Sequence, residues 1–417
     1  MSQRGTTGAA DGMAVTGATT EFEPDVVDLF VETLRRAVRR ELSAVGTDTL
    51  LGELVMGDTD AGAAIAPGMR KAGSLSGSIS GRAGRGWVSD DGGPGARVGA
   101  GAGEAADQDA DGKEVDAAWR EAQWRVGLGS RGSAVDSGSA LPGMSGAMRA
   151  CLLLALGSAR AEGSISVRCR HVARALLDLP DTRAREALLL QRLDVADASS
   201  ALDRLDASAP AETERPESRG VTLLRRAGTL GRSGNRLTRA LTSWTSGSTV
   251  NGSPVLFAVS VEAMRQAVRC GHAEVEPVDL LLGTLALDRA LSVAGRSLPG
   301  SLEEANSAAA LMRRHGVRQF SLASSASLAS ASLAAGDPDG DGVPRSAAAE
   351  RAMAMARLSA AEHGSPTVGT VHLLSALLDE SATDADAGAG GVVVALLAAD
   401  QVDVAALRAE LSSRLGA

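Results

Sequence analysis

Apolar residues recur with helical spacing in four blocks of the chain, at roughly 22–71, 144–207, 253–316 and 346–416. The spacing is clearest at the end of the last block. There, positions three or four residues apart are apolar, and they are Val404, Leu407, Leu411 and Leu415. Residues at these intervals share one face of an α-helix. The pattern predicts an all-α protein whose helices pack through narrow apolar faces.

The last block divides into four predicted helices. An Ala-rich helix covers 346–364 and ends at Gly364, because glycine accepts the left-handed conformation that commonly closes a helix. A second helix starts at Thr370, whose hydroxyl is expected to cap the first turn. A third covers 392–399, and a fourth follows Asp403 as its cap. These four helices form one structural unit.

The same plan recurs upstream, which indicates a repeat architecture. Block three supplies a long helix, a Gly-His turn and a Leu-rich helix within 256–287, and a closing helix over 301–316 with Ser301 and Glu304 spaced as a capping box. Block two repeats this order over 148–179, and block one over 27–57 with a further helix near 59–66. No closing helix is evident in block one.

The segments between the blocks are predicted to be linkers. Residues 72–116 are mainly Gly, Ser, Ala and Asp without apolar periodicity, so they are not expected to bury enough surface to order themselves. The predicted organisation is a disordered tail (1–21), a first domain (22–207, with a disordered insertion at about 72–143), an Arg-rich linker (208–252) and a second domain (253–417, with a linker at 320–345).

Composition narrows the class of protein. The net charge of −9 argues against a main role in holding a nucleic-acid backbone. The three cysteines have no metal spacing and suggest no disulfide framework, which fits a reducing cytoplasm. No secretory signal is seen, and the longest apolar runs are far short of the roughly 20 residues that cross a membrane. A cytoplasmic protein without a membrane span is expected.

Two stretches carry a resemblance to a known family. They are AAEHGSPTVGTVHLLSALLDE (360–380) and SAVGTDTLLGEL (43–54), and they resemble the amino-terminal domain of Clp ATPases, in which two similar four-helix repeats form one domain. The best match is 346–416, through Gly369, Thr370 and His372. The resemblance implies two such domains and a non-enzymatic function. It also implies a protein or peptide partner, namely a Clp ATPase or its substrates, to be delivered to the protease machine or kept from it.

The resemblance also suggests candidate ligand-binding residues. In the family, a Glu after Gly-Thr helps to hold phosphorylated arginine, and the corresponding residues here are Asp48, Arg170, Val278 and Val371. Only Asp48 keeps a carboxylate. The helix starts at Thr47 and Thr370 are expected to present free N–H groups to anionic or polar ligands. The candidate residues are Thr47, Asp48, Thr370 and His372.

An alternative site lies in the segment 218–244, which carries six arginines and no acidic residue. Such a run can contact phosphates or another anionic partner, although it holds a single aromatic residue, Trp244, for base stacking. In this reading the protein is an interaction scaffold, and the contact residues are Arg225, Arg226, Arg232, Arg236 and Arg239.

The sequence contains no motif that indicates a catalytic or metal-binding site. There is no GxxxxGK[ST] phosphate loop, so the run at 377–380 is interpreted as a helix end rather than the metal-binding strand of an ATPase, and no GxSxG nucleophile motif occurs. The DxDxDG runs at 107–112 and 337–342 lack the Glu that completes a calcium loop and are interpreted as acidic linker turns. No cofactor, metal ion or catalytic residue is expected.

Overall fold

A computed structural model of the protein describes residues 20–57, 59–69, 73–92, 105–130, 141–208, 217–230, 253–327, 342–383 and 390–416. These residues are predominantly helical, which confirms the predicted all-α class. They build two hydrophobic cores, one from residues between Phe22 and Leu202 and the other from residues between Val221 and Leu411. We refer to the residues around these two cores as the first and the second domain.

The helices of the first domain surround the first core. They are α1 (Pro24–Arg39), α2 (Thr47–Met56), α3 (Asp60–Ile65), α4 (Ser74–Arg85), α5 (Ala105–Ser130), α6 (Gly146–Ala161), α7 (Cys169–Asp178), α8 (Arg183–Leu190) and α9 (Val195–Ser208).

The helices of the second domain surround the second core. They are α10 (Arg219–Arg226), α11 (Pro254–Cys270), α12 (Pro277–Val293), α13 (Gly300–Glu303), a 3₁₀ turn (Glu304–Asn306), α14 (Ala308–Arg314), α15 (Gln319–Ala326), α16 (Ala347–Glu362), α17 (Thr370–Thr383), α18 (Gly390–Ala399) and α19 (Val404–Leu415).

Short parallel pairings join the two repeats of each domain. Strand β1 (Glu21–Phe22) pairs with β4 (Ser166–Val167), and β2 (Ala44–Val45) pairs with β3 (Gly143–Met144). Each pairing connects the segment before the first helix of one repeat to the segment before the second helix of the other. A single bridge between Val275 and Arg345 does the same in the second domain. The repeats of a domain are therefore interlocked.

Several predicted helix ends are confirmed in detail. The Asp403 side chain accepts a hydrogen bond of 2.9 Å from the Ala406 N–H and so caps α19. Gly364 has φ of +63° just beyond α16, as expected of a glycine that ends a helix. The predicted closing helix at 301–316 is wrong as a single element, because it is broken into α13, the 3₁₀ turn and α14, and Ser301 caps nothing there.

The predicted disordered insertion at 72–143 is wrong where α4 and α5 occupy it. Helix α5 buries apolar side chains on α1 and α6, and Trp119 approaches Phe30 with ring centroids 6.2 Å apart. Leu75 and Ile79 of α4 are also in the core. The Gly- and Asp-rich composition made the few apolar residues of this segment easy to miss. Their packing in the core orders the segment. The acidic run 107–112 lies within α5 and is therefore neither a turn nor a calcium loop.

The predicted linkers are also shorter than expected. Helix α10 lies within 208–252 and packs Val221 and Leu224 in the second core, and α15 covers most of the start of 320–345. In the second acidic run, 337–342, only Gly342 is among the described residues. The two domains, expected to be joined by disordered linkers, are in direct contact because α5 packs against α11 and α15.

Candidate functional site

The start of α2 is already occupied by a side chain of the same protein. The Asp91 carboxylate accepts hydrogen bonds from the Thr47 N–H at 2.5 Å and from the Thr47 hydroxyl at 2.9 Å. The same carboxylate accepts from the Arg183 N–H at 2.9 Å, at the start of α8. The Thr47 hydroxyl also accepts from the Ala184 N–H at 3.0 Å. Two helix starts thus share one internal anion, as expected from their free N–H groups.

Asp48 lies beside this internal anion and has no open path to a ligand. It is 5 % exposed, and its Oδ1 has no hydrogen-bond partner among the described residues. Burial raises the pKa of Asp48 to about 6, and the neighbouring Asp91 carboxylate adds to the increase. A Cβ on Gly46 would lie 2.5 Å from Asp48 Oδ1, so the Gly of this Gly-Thr pair is required by close packing.

The start of α17 is arranged in a similar way. The Thr370 N–H donates to Asn306 Oδ1 at 3.1 Å, and the Thr370 hydroxyl accepts from the Ala308 N–H at 3.4 Å, at the start of α14. The hydroxyl therefore serves a neighbouring helix and does not cap its own, contrary to the prediction. A Cβ on Gly369 would lie 1.9 Å from the Ala305 carbonyl oxygen, so only glycine fits there.

His372 has a structural role in the same helix start. Its Nδ1 accepts a hydrogen bond of 3.0 Å from the Gly369 N–H, and the residue is 3 % exposed. His171 does the same for the Arg168 N–H at 2.9 Å in α7. Burial lowers the pKa of His372, which favours the neutral ring that this bond requires. The histidine three residues into the helix is thus a capping residue.

The structure therefore does not bring the predicted ligand residues together at a surface. Thr47 and Asp48 lie in one domain and Thr370 and His372 in the other, and all four are buried. The prediction of free N–H groups at these helix starts is wrong, because the Asp91 and Asn306 side chains bind them. The missing information was the identity of these partners, which lie 44 and 64 residues away in sequence.

The arginine candidates are only partly within the described residues. Arg225 forms an ion pair of 2.8 Å with Glu217, and Arg226 is exposed near the end of α10. Arg232, Arg236 and Arg239 lie outside the described residues. Of the two described arginines, Arg225 is therefore already paired with an acidic residue of the same chain.

Three large apolar side chains of the first domain are exposed, namely Val88, Leu189 and Leu190, at 83 %, 62 % and 51 %. Glu186, one turn earlier in α8, holds the backbone at Val88 by accepting from the Val88 N–H at 3.0 Å and the Ser89 N–H at 2.8 Å. We call this surface the Leu189 patch. The sequence concealed it, because Leu189 and Leu190 belong to an apolar run that predicts core.

Both basic and acidic residues lie near the Leu189 patch in sequence, the acidic ones being the exposed Asp90 and Asp194. Arg82 is bound to Glu186 at 2.7 Å, and Arg85 and Arg192 are exposed nearby in sequence, at the end of α4 and just after α8. Contiguous exposed apolar side chains with a polar rim are typical of protein-interaction surfaces.

The two domains contact each other through a buried group of charged side chains and one glutamine, which we call the inter-domain ion cluster. Its members are Glu21, Glu114, Glu121, Arg265, Arg269, Arg289 and Gln319. Arg269 contacts Glu114 at 2.7 Å and Glu121 at 3.1 Å. Glu262 also contacts Arg265, at 3.4 Å, and Arg125 binds Glu121, so four carboxylates meet four guanidinium groups.

The pKa of Glu21 shows how strongly these charges are coupled. Burial by itself raises this pKa, but the charges of Arg289, Arg269 and Arg265 outweigh it and lower the pKa to about 2. Burial likewise raises the pKa of Glu121, and the charges of Arg265, Arg125 and Arg269 bring it below the usual range. Both carboxylates are therefore ionised at neutral pH, as the cluster requires.

A cavity beside the ion cluster is too small for an organic ligand. It is lined by Glu114, Arg269 and Phe320 among others and has a volume of about 20 Å³. That is room for little more than a water molecule. Gln266 Nε2 borders this region as a buried donor without a hydrogen-bond partner in the described part of the chain, which suits a bridging water.

Within the described ranges, no group of three or more His, Cys, Asp or Glu residues is arranged to hold a metal ion. The three cysteines are buried and unpaired, and burial raises the pKa of the Cys151 and Cys270 thiols, the latter to about 12. Among the described helices, none is long and apolar enough to cross a membrane.

The described residues form a helical protein built from repeats. Residues 298–388 match the family model described as the Clp repeat (R) N-terminal domain. This match confirms the resemblance predicted from Gly369, Thr370 and His372, which lie inside it. No curated protein and no solved structure matches the chain.

Proposed function

We propose that the protein is a non-enzymatic binding module that receives a protein or peptide partner through the Leu189 patch. The family match supports a protein-interaction role, because the resemblance implies that such domains receive substrates or adaptors. The proposed partner is a Clp ATPase or one of its substrates, which this chain would deliver to the protease machine or withhold from it. The free thiols fit a cytoplasmic setting.

The observation that carries this proposal is the exposure of Leu189 and Leu190 on α8. Covering one leucine side chain fully stabilises a complex by about 1.5–3 kcal/mol before the costs of association. Two leucines and Val88 are therefore enough for the centre of a small interface. A peptide with bulky apolar residues suits this surface.

The helix starts at Thr47 and Thr370 are not part of this proposed site. Asp91 already supplies a carboxylate to Thr47, and the Asn306 side chain occupies the corresponding position at Thr370. An external anion such as phosphorylated arginine would have to displace these groups. The proposed function therefore places the partner on α8 and not at the Gly-Thr motifs.

The scaffold hypothesis assigns the contact to the Arg-rich segment instead. One observation favours keeping it as a second candidate, namely that Arg226 is exposed at the end of α10. Replacing Arg225, Arg226, Arg232, Arg236 and Arg239 with alanine separates the two hypotheses. The patch hypothesis predicts that partner binding persists in this variant, and the scaffold hypothesis predicts its loss.

The direct experiment measures binding of the full chain to a purified Clp ATPase and to an unfolded protein substrate by biolayer interferometry. We expect the Leu189→Asp/Leu190→Asp variant to bind at least one of these probes about tenfold more weakly than the wild type, because each aspartate removes apolar contact area. Phe257→Asp is the matched control, since Phe257 is 60 % exposed on the other domain.

The proposal fails if the wild-type chain binds neither probe. It also fails if the double variant and the Phe257→Asp control bind equally well. Circular dichroism of each variant checks that the helical fold is retained, which is expected because the replaced side chains are exposed.

A further inference from the structure

Polar groups bridge the two domains. Besides the inter-domain ion cluster, Lys113 donates to the Ser324 hydroxyl at 3.1 Å, and Arg120 Nε donates to the Arg269 carbonyl oxygen at 3.0 Å. The buried apolar side chains instead form two separate cores, one in each domain. Polar contacts between domains resemble those of complexes that form and dissociate. Separation of the two domains would therefore leave each core intact.

Glu21 of the first domain is held by donor groups of the second domain. Its Oε2 accepts a hydrogen bond of 3.0 Å from Arg265 and another from Arg289. Its Oε1 accepts a hydrogen bond of 2.5 Å from the Gln319 side chain. Charge-assisted hydrogen bonds to both oxygens are the usual means of recognising a carboxylate ligand. The second domain therefore contains a carboxylate site whose occupant comes from the first domain.

Arg269 extends this site towards α5. It is 3 % exposed, and its guanidinium group binds Glu114 at 2.7 Å and Glu121 at 3.1 Å. Among the described residues, the second domain itself contributes Glu262, which contacts Arg265 at 3.4 Å. Three guanidinium groups of the second domain therefore meet one of its own carboxylates, and the first domain supplies the remaining negative charge.

The two sides of the contact would be affected differently if the domains separated. Glu121 would keep its ion pair with Arg125, which belongs to the same helix, α5. Arg269 and Arg289 are bound by carboxylates of the first domain and would lose them. Guanidinium groups without a partner in a donor-rich site attract carboxylates. The second domain is therefore the side that suits an anionic ligand.

Two buried donors of the second domain are left unused in the closed arrangement. Gln266 Nε2 and Arg289 Nε have no hydrogen-bond partner in the described part of the chain, although buried donors usually have one. Gln266 is 1 % exposed and lines the cavity beside Glu21 and Arg269. The first domain's carboxylates thus do not use every donor of the site. A peptide offers backbone carbonyl oxygens next to its carboxylates, and these are suitable acceptors.

We propose that the second-domain half of the inter-domain ion cluster is a binding site for an acidic peptide, and that carboxylates of the first domain occupy it until such a peptide displaces them. Buried ion pairs contribute little net stability, so one set of carboxylates replaces another at a small net cost. The contact is then autoinhibitory, because closed molecules do not bind the peptide. This inference is independent of the proposed function, since the Leu189 patch lies elsewhere, on the first domain.

The first test removes the internal occupant. Fluorescence polarisation measures binding of a labelled hexaglutamate peptide to the full chain in low salt. We expect Glu21→Ala to bind this peptide about tenfold more tightly than the wild type does, because the closed state loses a competing carboxylate. Glu53→Ala is the matched control and should bind as the wild type does, because Glu53 pairs with Arg36 inside the first domain.

Two further variants distinguish the site from a general effect of charge. Adding Arg289→Gln to Glu21→Ala should weaken binding about tenfold, because the site loses a guanidinium group. Glu21→Gln keeps the shape of the side chain and should bind more tightly than the wild type. It replaces Glu21→Ala in the comparison if circular dichroism shows that the alanine variant is unfolded. The proposal is overturned if neither Glu21 variant binds more tightly than the wild type, or if Arg289→Gln leaves the affinity unchanged.

The second test locks the two domains together. Lys113→Cys/Ser324→Cys replaces two side chains whose polar atoms lie 3.1 Å apart, so a short bismaleimide is expected to join the new thiols. The three native cysteines are buried and should not react. With Glu21→Ala also present, the cross-linked chain should bind hexaglutamate about tenfold more weakly than the same chain with its two thiols blocked separately. Equal binding by the two forms would place the peptide elsewhere and overturn the proposal.

Discussion

At the scale of single residues, the Gly-Thr and histidine positions that carry the family resemblance have structural explanations. Gly46 and Gly369 are required by close contacts, and His372 caps the helix that it belongs to. Thr47 links α2 to α8 through its hydroxyl. The sequence identified these positions as special but assigned them to a ligand, because the residues that bind them are distant in the chain.

The buried carboxyl pair of Asp48 and Asp91 predicts an unusual response to pH. The pKa of Asp48 is about 6 in the folded protein against an ordinary value of 3.8, so the folded state holds this proton more tightly than the unfolded state does. The stability contributed by the protonated group is present below 3.8 and is lost as the pH rises through about 6.

The variant Asp48→Asn should therefore be more stable than the wild type at neutral pH. We expect an increase of about 1–2 kcal/mol in the free energy of unfolding near pH 7.5, because the amide keeps the shape without the buried charge. Urea denaturation at several pH values measures this, and the gain should shrink towards pH 4. The exposed Asp178→Asn is the control, and equal stability changes in both variants would contradict the explanation.

At the scale of elements, α5 is the main difference between expectation and structure. Its composition suggested a disordered insertion, yet Val115, Trp119 and Val126 are buried in the first core. The apolar residues recur at helical spacing only over the second half of the helix. Local propensity is weak evidence when tertiary packing supplies most of the stability of a helix.

Replacing Trp119 tests whether α5 belongs to the folded core. Trp119→Ala should lower the free energy of unfolding by about 3–5 kcal/mol, because it leaves a large cavity beside Phe30. Gly127→Ala in the same helix is the matched control. It should instead raise the free energy of unfolding by about 0.5–1 kcal/mol, because Gly127 is exposed and nothing lies near its Cβ position.

Thermal or urea unfolding of the full chain gives both values. If Trp119→Ala changes stability no more than a surface substitution does, then α5 does not pack in the core and the description of the first domain is wrong. A stabilising effect of Gly127→Ala would support a formed helix at that position independently of the core.

At the scale of the whole molecule, the inter-domain ion cluster connects the two domains. Arg265 binds Glu21 and Glu121 at 3.0 Å, so it joins the second domain to two segments of the first. A buried cluster of this kind adds little net stability when intact, but removing one partner leaves uncompensated charges. We expect the cluster to favour one arrangement of the domains over others.

Removing Glu121 should destabilise that arrangement strongly. We expect Glu121→Ala to lower the free energy of unfolding by about 3–5 kcal/mol at neutral pH, because Arg265 and Arg269 lose a buried partner. Asp28→Ala removes the exposed ion pair between Asp28 and Arg125 and is the matched control, with an expected change below about 1 kcal/mol. Equal effects in both variants would show that the cluster is not buried.

The same cluster predicts loss of stability in acid. Because the pKa of Glu21 is lowered from 4.5 to about 2 in the folded state, its stabilising contribution is complete above 4.5 and disappears as the pH falls towards 2. Unfolding of wild type and Glu21→Gln followed across this range should converge at the acid end. Parallel curves would contradict the assigned coupling.

The sequence by itself determined the helical class, the helix ends at Gly364 and Asp403, and the resemblance to the family whose model matches residues 298–388. These features depend on residues close together in the chain, where periodicity and capping act. Only the tertiary structure decided that Asp91 occupies the start of α2, that α5 joins both domains, and that Leu189 and Leu190 face solvent. Each of these depends on which distant segments meet, and that is settled by packing and by the balance of buried charges, neither of which a local pattern records.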